Sequence, residues 1–386
     1  MMKIISLLFV VMSLSCSLNS RDDSGFMSTS DLHADFLKLV EEYKIPSLVG
    51  GQLTDGEFTA IGVAGNRRIG VEEPVEWSDR FHLGSITKSM TAAVVARFVD
   101  QNKLAWNTKL SVIFPEITMH PDFKNTTIED LLVHRAGTPT SLITYRDATI
   151  WKNFTSYAEL EPGKTLDLSE EQLRAERYFV AQTVLSFEVQ SIPSGDATYS
   201  NAGYIILGAV LEKLENKGWE EIVEEQLFQP LGMEECGFGP PAHPATQPAT
   251  QPWAHYFHEG VFYSYYADNP PAVGPAGTVH CSLRSLAKFL QMHLDAANGD
   301  TSFFSRSTTL KNHSSVTGAI VPFTFGGMAK IVSEEGPILL ANGSNTMGFA
   351  RFAITLGTNT IQMVALNAAP QNSSEIVDKA IELLSP

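Results

Sequence analysis

The sequence has very little cysteine, with only Cys16, Cys236 and Cys281 among 386 residues. Small secreted folds that depend on disulfides carry cysteines at a much higher density. Hydrophobic residues make up 44% of the chain, and at this length they can form a substantial core. We therefore expect apolar packing, and not a disulfide framework, to stabilise the fold.

Positive charge is also scarce: 27 lysine and arginine residues stand against 43 aspartate and glutamate residues, for a formal net charge of −16. Such a surface repels nucleic acid, and no basic patch with interleaved aromatic residues offsets it. The charged fraction of 18% is ordinary for a globular protein. The composition therefore excludes nucleic acid as a partner and leaves the oligomeric state open, and it does not itself point to a small-molecule or peptide substrate.

The apolar run at the amino terminus, residues 4–12, is too short to cross a bilayer as a helix. It follows Lys3 and ends in small residues, which is typical of a secretory signal peptide over residues 1–16. The alternative is a buried amino-terminal segment. Cys16 stands where a lipoprotein signal places its lipidated cysteine, but Ser13 stands where such signals usually have leucine. We expect export to the periplasm, cell envelope or extracellular space, with membrane anchoring through Cys16 left open.

Apolar periodicity predicts strands near both chain ends and helices between them. After a polar tether over residues 17–30, a helix is predicted over residues 31–43. Two strands joined through Asp55–Gly56, a typical hairpin pair, come next. Helical patterns dominate the middle of the chain, and four strand-like runs and a last helix follow residue 325.

These patterns predict an α+β fold in one domain over residues 31–386. Its antiparallel sheet is built from both chain ends, about residues 31–84 and 325–386, and is flanked by the terminal helices. The helix-rich inserted region covers about residues 85–324.

Ser85 and Lys88 stand three residues apart where an extended segment turns into an apolar helix. Residues at this spacing share a helix face, so the lysine amine can reach the serine hydroxyl. A lysine is a base only when neutral, which requires burial to lower its pKa from about 10.4. The alternative is that Ser85 only caps the helix and Lys88 is solvated. Ser285 and Lys288 repeat the spacing, so context must decide between the two pairs.

Tyr199 and Asn201 form the only Y-x-N sequence in the chain, on a turn before another apolar helix. A phenol beside a serine–lysine pair could relay protons, and the amide could hold a substrate carbonyl or the lysine. The alternative is that Tyr199 only packs and Asn201 caps the helix.

Five segments provide the wider context for both motifs. In chain order they are FHLGSITKSMTAAVV, TIEDLLVHRAGT, SGDATYSNAGYIILGAVLEKL, EEQLFQPLGMEECGFG and GPAGTVHCSLRSLAKFL. Over about residues 32–370 the chain resembles the serine β-lactamase and penicillin-binding protein superfamily, in the branch of class C β-lactamases, DD-peptidases and related esterases. The resemblance implies four roles: Ser85 as acylated nucleophile, Lys88 as its base partner, Tyr199 as proton shuttle and Asn201 as a substrate or lysine contact.

The third sequence element of this superfamily is altered. Relatives carry Lys-Thr-Gly, His-x-Gly or Trp-Gly-Gly on a strand that lines the site, where this chain has Ala341, Asn342 and Gly343. Ala341 brings neither charge nor ring, so a group that would hold a substrate carboxylate is missing. The resemblance still implies substrate contacts by Asn342, Gly343 and Ser344, and an oxyanion hole formed by the backbone N–H groups of Ser85 and Ser344.

The resemblance makes Ser285–Lys288 a chance copy inside an amphipathic helix, and His134 is expected to be structural, in a helix that ends at Gly137. No metal or organic cofactor is implied, because Ser–Lys–Tyr chemistry requires none. We therefore expect a serine hydrolase that forms an acyl-enzyme on a small ester or amide. An esterase or a peptidase is favoured over an efficient β-lactamase. The alternative is a non-catalytic relative that binds peptide or cell-wall fragments without turnover.

Overall fold

The computed structural model describes residues 29–385 except 147, 158–163, 190–196, 246–247 and 317–321. The predicted signal peptide, Cys16 and nearly all of the predicted tether lie outside the described residues. In the described part of the chain, no helix has both the length and the apolar character that crossing a membrane requires.

The helices fall between and beside the strands much as the apolar periodicity predicts. They are α1 (Thr29–Tyr43), α2 (Thr87–Asp100), α3 (Leu110–Ile113), α4 (Ile128–Leu132), α5 (Glu170–Leu185), α6 (Asn201–Glu215), α7 (Trp219–Val223), α8 (Gln229–Leu231), α9 (Gly274–Gly277), α10 (Leu283–Ala297), α11 (Arg306–Asn312) and α12 (Ser373–Leu384).

Among the described residues, the strands form three sheets. They are β1 (Ser47–Thr54), β2 (Glu57–Gly65), β3 (Phe81–His82), β4 (Cys236–Phe238), β5 (Ala254–His258), β6 (Val261–Tyr265), β7 (Val279–Cys281), β8 (Ala329–Ser333), β9 (Gly336–Ser344), β10 (Phe349–Thr355) and β11 (Thr360–Leu366). The main sheet is antiparallel, in the order β2-β1-β11-β10-β9-β8, so strands from the two chain ends meet at β1 and β11. The α+β fold with a sheet from both ends is confirmed.

The two faces of the main sheet pack against different helices because successive strand residues point to opposite sides. Leu48 on one face joins Phe36 of α1 and Ile376 of α12 in a core cluster beneath the terminal helices. Val49 on the other face joins the larger cluster, which includes residues of α2, α6 and α10. The second face therefore carries the helical region in which the candidate motifs lie.

A disulfide that the sequence does not predict joins Cys236 of β4 to Cys281 of β7. The two cysteines are 45 residues apart in the chain and become direct cross-strand partners only through the register of the three-stranded sheet β3-β7-β4. The sequence analysis also missed the hairpin β5–β6. Several of its aromatic residues are exposed, so its sequence could not be distinguished from the Pro-rich loop that precedes it. Apolar packing still accounts for most of the interior, as expected.

Arg177 of α5 is fully buried and joins three helices to the segment before α9. Its guanidinium donates to Glu212 of α6 at 2.6 Å, pairs with Glu220 of α7, and donates to the carbonyl oxygens of Pro271 and Ala272 at 2.9 and 3.3 Å. A charge so deeply placed is tolerated because two carboxylates and two carbonyl oxygens accept its N–H groups.

Replacing Arg177 by methionine is expected to lower the free energy of unfolding by about 3–5 kcal/mol, because Glu212 and Glu220 lose their buried cation. Urea titration at neutral pH measures the change. Arg174→Met, on the same helix, is the matched control: Arg174 pairs with Glu170 and donates to Asn216 at exposed or part-exposed positions, and the expected loss is about 1 kcal/mol or less. Equal losses in the two variants would show that the buried ion pairs of Arg177 do not stabilise the fold more than an exposed pair does.

Candidate active site

Ser85 lies in a single helical turn, Gly84–Ile86, between β3 and α2. Gly84 has a φ of +51°, and a Cβ on it would overlap the backbone nitrogen of Ser344, so this position requires glycine. The residue before α2 is Ile86, and no side chain caps the helix there. The alternative in which Ser85 is merely a helix cap is therefore wrong.

Lys88 is buried at the first turn of α2 and reaches three different parts of the fold. Its Nζ lies 3.1 Å from the Ser85 Oγ, 2.8 Å from the Asn201 Oδ1 at the start of α6, and 2.6 Å from the Ala276 carbonyl oxygen in α9. The alternative of a solvated lysine is also wrong. The Ala276 carbonyl was missed by sequence analysis, because a backbone acceptor leaves no residue-type signal.

Burial lowers the pKa of Lys88 well below its ordinary value of 10.5, and none of its three hydrogen-bond partners carries a negative charge to offset this. A neutral amine has two N–H groups and one lone pair. If the N–H groups donate to Asn201 and Ala276, the lone pair faces the Ser85 hydroxyl. The arrangement suits a base that removes the serine proton.

Tyr199 completes the group, with its hydroxyl donating to the Ser85 Oγ at 2.6 Å. Desolvation raises the pKa of the Tyr199 phenol to about 12, and the hydrogen bond to Ser85 acts in the opposite direction. The phenol is therefore protonated at neutral pH and is suited to donate a proton. Its ring packs against the rings of His134 and Phe323, with centroid distances of 4.6 and 6.1 Å.

Asn201 does not cap its helix, which leaves its side chain available to Lys88. The cap of α6 is Ser200, whose Oγ accepts from the Gly203 N–H at 3.3 Å. His134 supports this turn, because its Nδ1 accepts from the Ser200 N–H at 3.2 Å. Burial is the main cause that lowers the pKa of His134 to about 3, so its ring is neutral.

The predicted end of the helix that carries His134 is wrong. Helix α4 ends at Leu132 and not at Gly137, and His134 itself has a φ of +59°. The left-handed backbone conformation of His134 turns the chain so that the imidazole contacts the Tyr199 ring and accepts from the Ser200 N–H.

The end of strand β9 lies directly against the Ser85 turn. A Cβ on Gly343 would overlap the carbonyl oxygen of Leu83 and would lie 2.8 Å from the Ser85 nitrogen, so only glycine permits this approach. Ala341 shares the face of Gly343, because alternate strand residues point the same way. The Ser344 nitrogen lies beside Gly84, and the Ser344 Oγ accepts from the Thr346 N–H at 3.0 Å.

Asn342 points to the opposite face of the sheet, away from Ser85. Its Oδ1 accepts from the Arg351 Nε at 2.7 Å, and Arg351 in turn pairs with Asp378 of α12. The expected contact between the Asn342 side chain and substrate is therefore corrected. The reason is the two-residue period of the strand, which places Asn342 and Gly343 on different faces.

Ser285 and Lys288 lie in α10, and each side chain hydrogen-bonds to a backbone group elsewhere in the fold, unlike Ser85 and Lys88. The Ser285 Oγ accepts from the Glu235 N–H at 3.2 Å, and the Lys288 Nζ donates to the Gly232 carbonyl oxygen. The second pair thus supports the loop before β4.

Comparison with known proteins places this geometry in a family. The family model described as Beta-lactamase matches residues 32–383, nearly all of the chain. The chain is 23% identical over 294 residues to penicillin-binding protein 4 of Amycolatopsis lactamdurans, a match that covers 75% of this chain and 71% of that protein. It is 29% identical over 161 residues to unguisins hydrolase ungD' of Aspergillus campestris, covering 40% of this chain but only 26% of that protein.

A solved structure has the same fold at low sequence identity. EstCE1, described as a hydrolase with promiscuous acyltransferase activity, superposes with a TM-score of 0.71 and 16% identity, over 93% of this chain and 98% of its own.

Proposed function

The chain belongs to the beta-lactamase family, and on that premise we propose that it is an exported serine hydrolase acting through a Ser85 acyl-enzyme on a small ester or amide. One observation carries the proposal: the Tyr199 hydroxyl, the Ser85 hydroxyl and the buried Lys88 amine form a continuous chain of hydrogen-bonding groups, with 2.6 and 3.1 Å between successive heavy atoms. Such a chain can remove the serine proton and return a proton to a leaving group.

In the proposed acylation step, neutral Lys88 takes the hydroxyl proton while the Ser85 Oγ forms a bond to the substrate carbonyl carbon. The carbonyl oxygen becomes an oxyanion that faces the backbone N–H groups of Ser85 and Ser344. When the tetrahedral intermediate collapses, Tyr199 donates its proton to the departing alcohol or amine and recovers one from the Lys88 ammonium. Water then attacks the acyl carbon and gives a proton to the neutral Lys88 amine. The bond between that carbon and the Ser85 Oγ breaks, the Lys88 ammonium returns the proton to the Ser85 Oγ, and the acid leaves.

Charge at the site argues for a substrate without a recognised carboxylate. Ala341 brings no cation to the face that lies toward Ser85, and the nearby cation Arg351 is turned to α12, where it pairs with Asp378. Penicillins and peptidoglycan stem peptides both present a carboxylate. We therefore favour an esterase or a peptidase of low specialisation over an efficient β-lactamase.

The disulfide between Cys236 and Cys281 supports the proposed export, because such bonds persist in oxidising compartments and are rare in the cytosol. It agrees with the signal peptide predicted over residues 1–16. Anchoring to a membrane through a lipidated Cys16 remains an extension of the same proposal.

The test compares three substrates: p-nitrophenyl butyrate, a neutral peptide anilide and the chromogenic cephalosporin nitrocefin. We expect the highest kcat/KM with the ester and a value on the order of a hundredfold lower with the cephalosporin, about the loss of one strong charged contact. Mass spectrometry after fluorophosphonate treatment should place the adduct on Ser85. Turnover dominated by nitrocefin would overturn the substrate class, and tight peptide binding with no turnover of any substrate would favour the non-catalytic alternative.

A further inference from the structure

Three buried side chains beside the Ser85 turn have no part in the proton chain. They are His82 of β3, Asp268 in the segment after β6, and Asn345 directly after β9. The His82 Nε2 lies 2.8 Å from the Asp268 Oδ2, and the Asn345 Nδ2 donates to the Asp268 Oδ1 at 2.9 Å. One carboxylate therefore holds two segments that are more than 250 residues apart in sequence.

The partners of His82 determine which of its ring nitrogens carries the proton. The Gly84 backbone N–H can only donate, and it lies 3.0 Å from the His82 Nδ1, so Nδ1 is the acceptor. The proton of the neutral ring must then lie on Nε2, where the Asp268 carboxylate accepts it. Asp268 thus fixes the tautomer of His82 in which Nδ1 can accept from the Gly84 N–H.

Asn345 is fixed in a similar way on the other side. Its Nδ2 donates to Asp268, and its Oδ1 accepts from the Met347 N–H at 3.1 Å. Asn345 directly follows Ser344, and Gly84, which donates to His82, directly precedes Ser85. Asp268 is therefore linked, directly to Asn345 and through His82 to Gly84, to the neighbours of the two backbone amides that face the proposed oxyanion.

We propose that Asp268 is a positioning residue for the oxyanion hole. Acting through His82 and Asn345, its carboxylate holds the Ser85 and Ser344 amides at the separation that binds a tetrahedral oxyanion. Gly84 packs against the Ser344 nitrogen with no room for a side chain, so a small shift of either segment changes this separation. The proposal rests on the proposed hydrolase function and adds a residue to it.

The test is Asp268→Asn. The Asp268 Oδ1 accepts from both the Asn345 Nδ2 and the Asn269 N–H at 2.7 Å, so the amide oxygen of the variant should stay there. Its NH₂ group then faces His82, which must move its proton to Nδ1. Two donors, Nδ1–H and the Gly84 N–H, would oppose each other, and the bond is lost. We expect acylation by p-nitrophenyl butyrate to slow by about 10- to 100-fold, somewhat less than removal of a whole oxyanion donor.

Three readouts separate positioning from simple loss of stability. An aryl boronic acid, which forms a tetrahedral adduct on serine, should bind the variant about 10- to 100-fold more weakly, in parallel with the acylation rate, because it uses the same two amides. The KM for the ester should change by less than threefold. Long-range ¹H–¹⁵N spectra of histidine-labelled protein should show the His82 proton on Nε2 in the wild type and on Nδ1 in the variant.

Asp79→Asn is the matched control. Asp79 is also buried and accepts from the Arg67 Nε at 2.7 Å and the Glu76 N–H at 2.9 Å, but it contacts neither His82 nor Asn345. It should lose stability and keep its boronic acid affinity. If Asp268→Asn does not fold, His82→Gln tests the same link, because it leaves Asp268 in place and should weaken boronic acid binding in the same range.

Boronic acid affinity within twofold of the wild type in Asp268→Asn or His82→Gln would overturn the proposal, as would a wild-type His82 protonated on Nδ1. A wild type that neither hydrolyses the ester nor binds the boronic acid would refute the hydrolase function itself, and the proposal with it. The histidine spectra distinguish that case, since they report the tautomer whether or not the protein turns over.

Discussion

Ser85→Ala is expected to lower kcat/KM for p-nitrophenyl butyrate on the order of a thousandfold or more, the usual result of removing a nucleophile that forms a covalent intermediate. Labelling by a fluorophosphonate should disappear at the same time. The Ser85 Oγ is the atom on which the Tyr199 hydroxyl and the Lys88 amine converge, and the variant lacks the atom that would be acylated. Steady-state kinetics and intact-mass spectrometry measure the two effects.

Ser285→Ala provides a matched control within the same chain, since Ser285 has the same spacing to a lysine. Its hydroxyl accepts a backbone hydrogen bond from Glu235, and its loss should cost about 1 kcal/mol of stability with turnover unchanged. Turnover by Ser85→Ala above a tenth of the wild-type value would show that the nucleophile lies elsewhere.

Lys88→Met is expected to slow acylation on the order of 10²- to 10⁴-fold, the range that a positioned general base contributes. The methionine side chain fills a similar volume, so the effect should come from the lost lone pair and not from a cavity. Lys288→Met, in the Ser285–Lys288 pair, should leave the rate unchanged.

The pH profile identifies the role of Lys88 more specifically than the rate does. A base is active when deprotonated, so kcat/KM of the wild type should rise with pH through the lowered pKa of Lys88 and then level off. Lys88→Met should lack this rise. An identical rise in the variant would assign the titration to another group.

The same pKa shift has a consequence for stability. The folded-state pKa of Lys88 lies below that of the unfolded chain, so between the two values the unfolded chain binds more protons. The free energy of unfolding therefore increases with pH across this window, up to about the ordinary value of 10.5. Near neutral pH, Lys88→Met should unfold less readily than the wild type while being less active.

Local spacing pointed to the proton chain but did not decide it. Ser85–Lys88 and the Y-x-N turn each precede or begin an apolar helix, but Ser285–Lys288 has the same spacing, so the resemblance of five segments in chain order was needed to choose between the two pairs. What spacing could not show was the acceptor role of the Ala276 carbonyl, because every residue has the same backbone oxygen.

Asn342 shows a different limit of sequence reasoning. The alternation of strand residues predicts that Asn342 and Gly343 face opposite ways, but not which of them faces Ser85. That choice depends on how closely β9 approaches the Leu83 carbonyl, a contact between residues 260 positions apart. The Cys236–Cys281 bond was missed for a similar reason, since its partners meet only through the register of β4 and β7.

The meeting of β1 with β11 affects how this protein can fold. Leu48 pairs with Leu366, so the central ladder of the main sheet closes a loop of more than 300 residues. Contacts of such high sequence separation make folding slow, because the entropy of closing the loop is lost before the contacts form. A chain emerging from the ribosome would thus keep the β1–β2 hairpin without its sheet neighbour until β11 has been made. Such a delay would keep the chain unfolded for longer, which is the state that the proposed export would require.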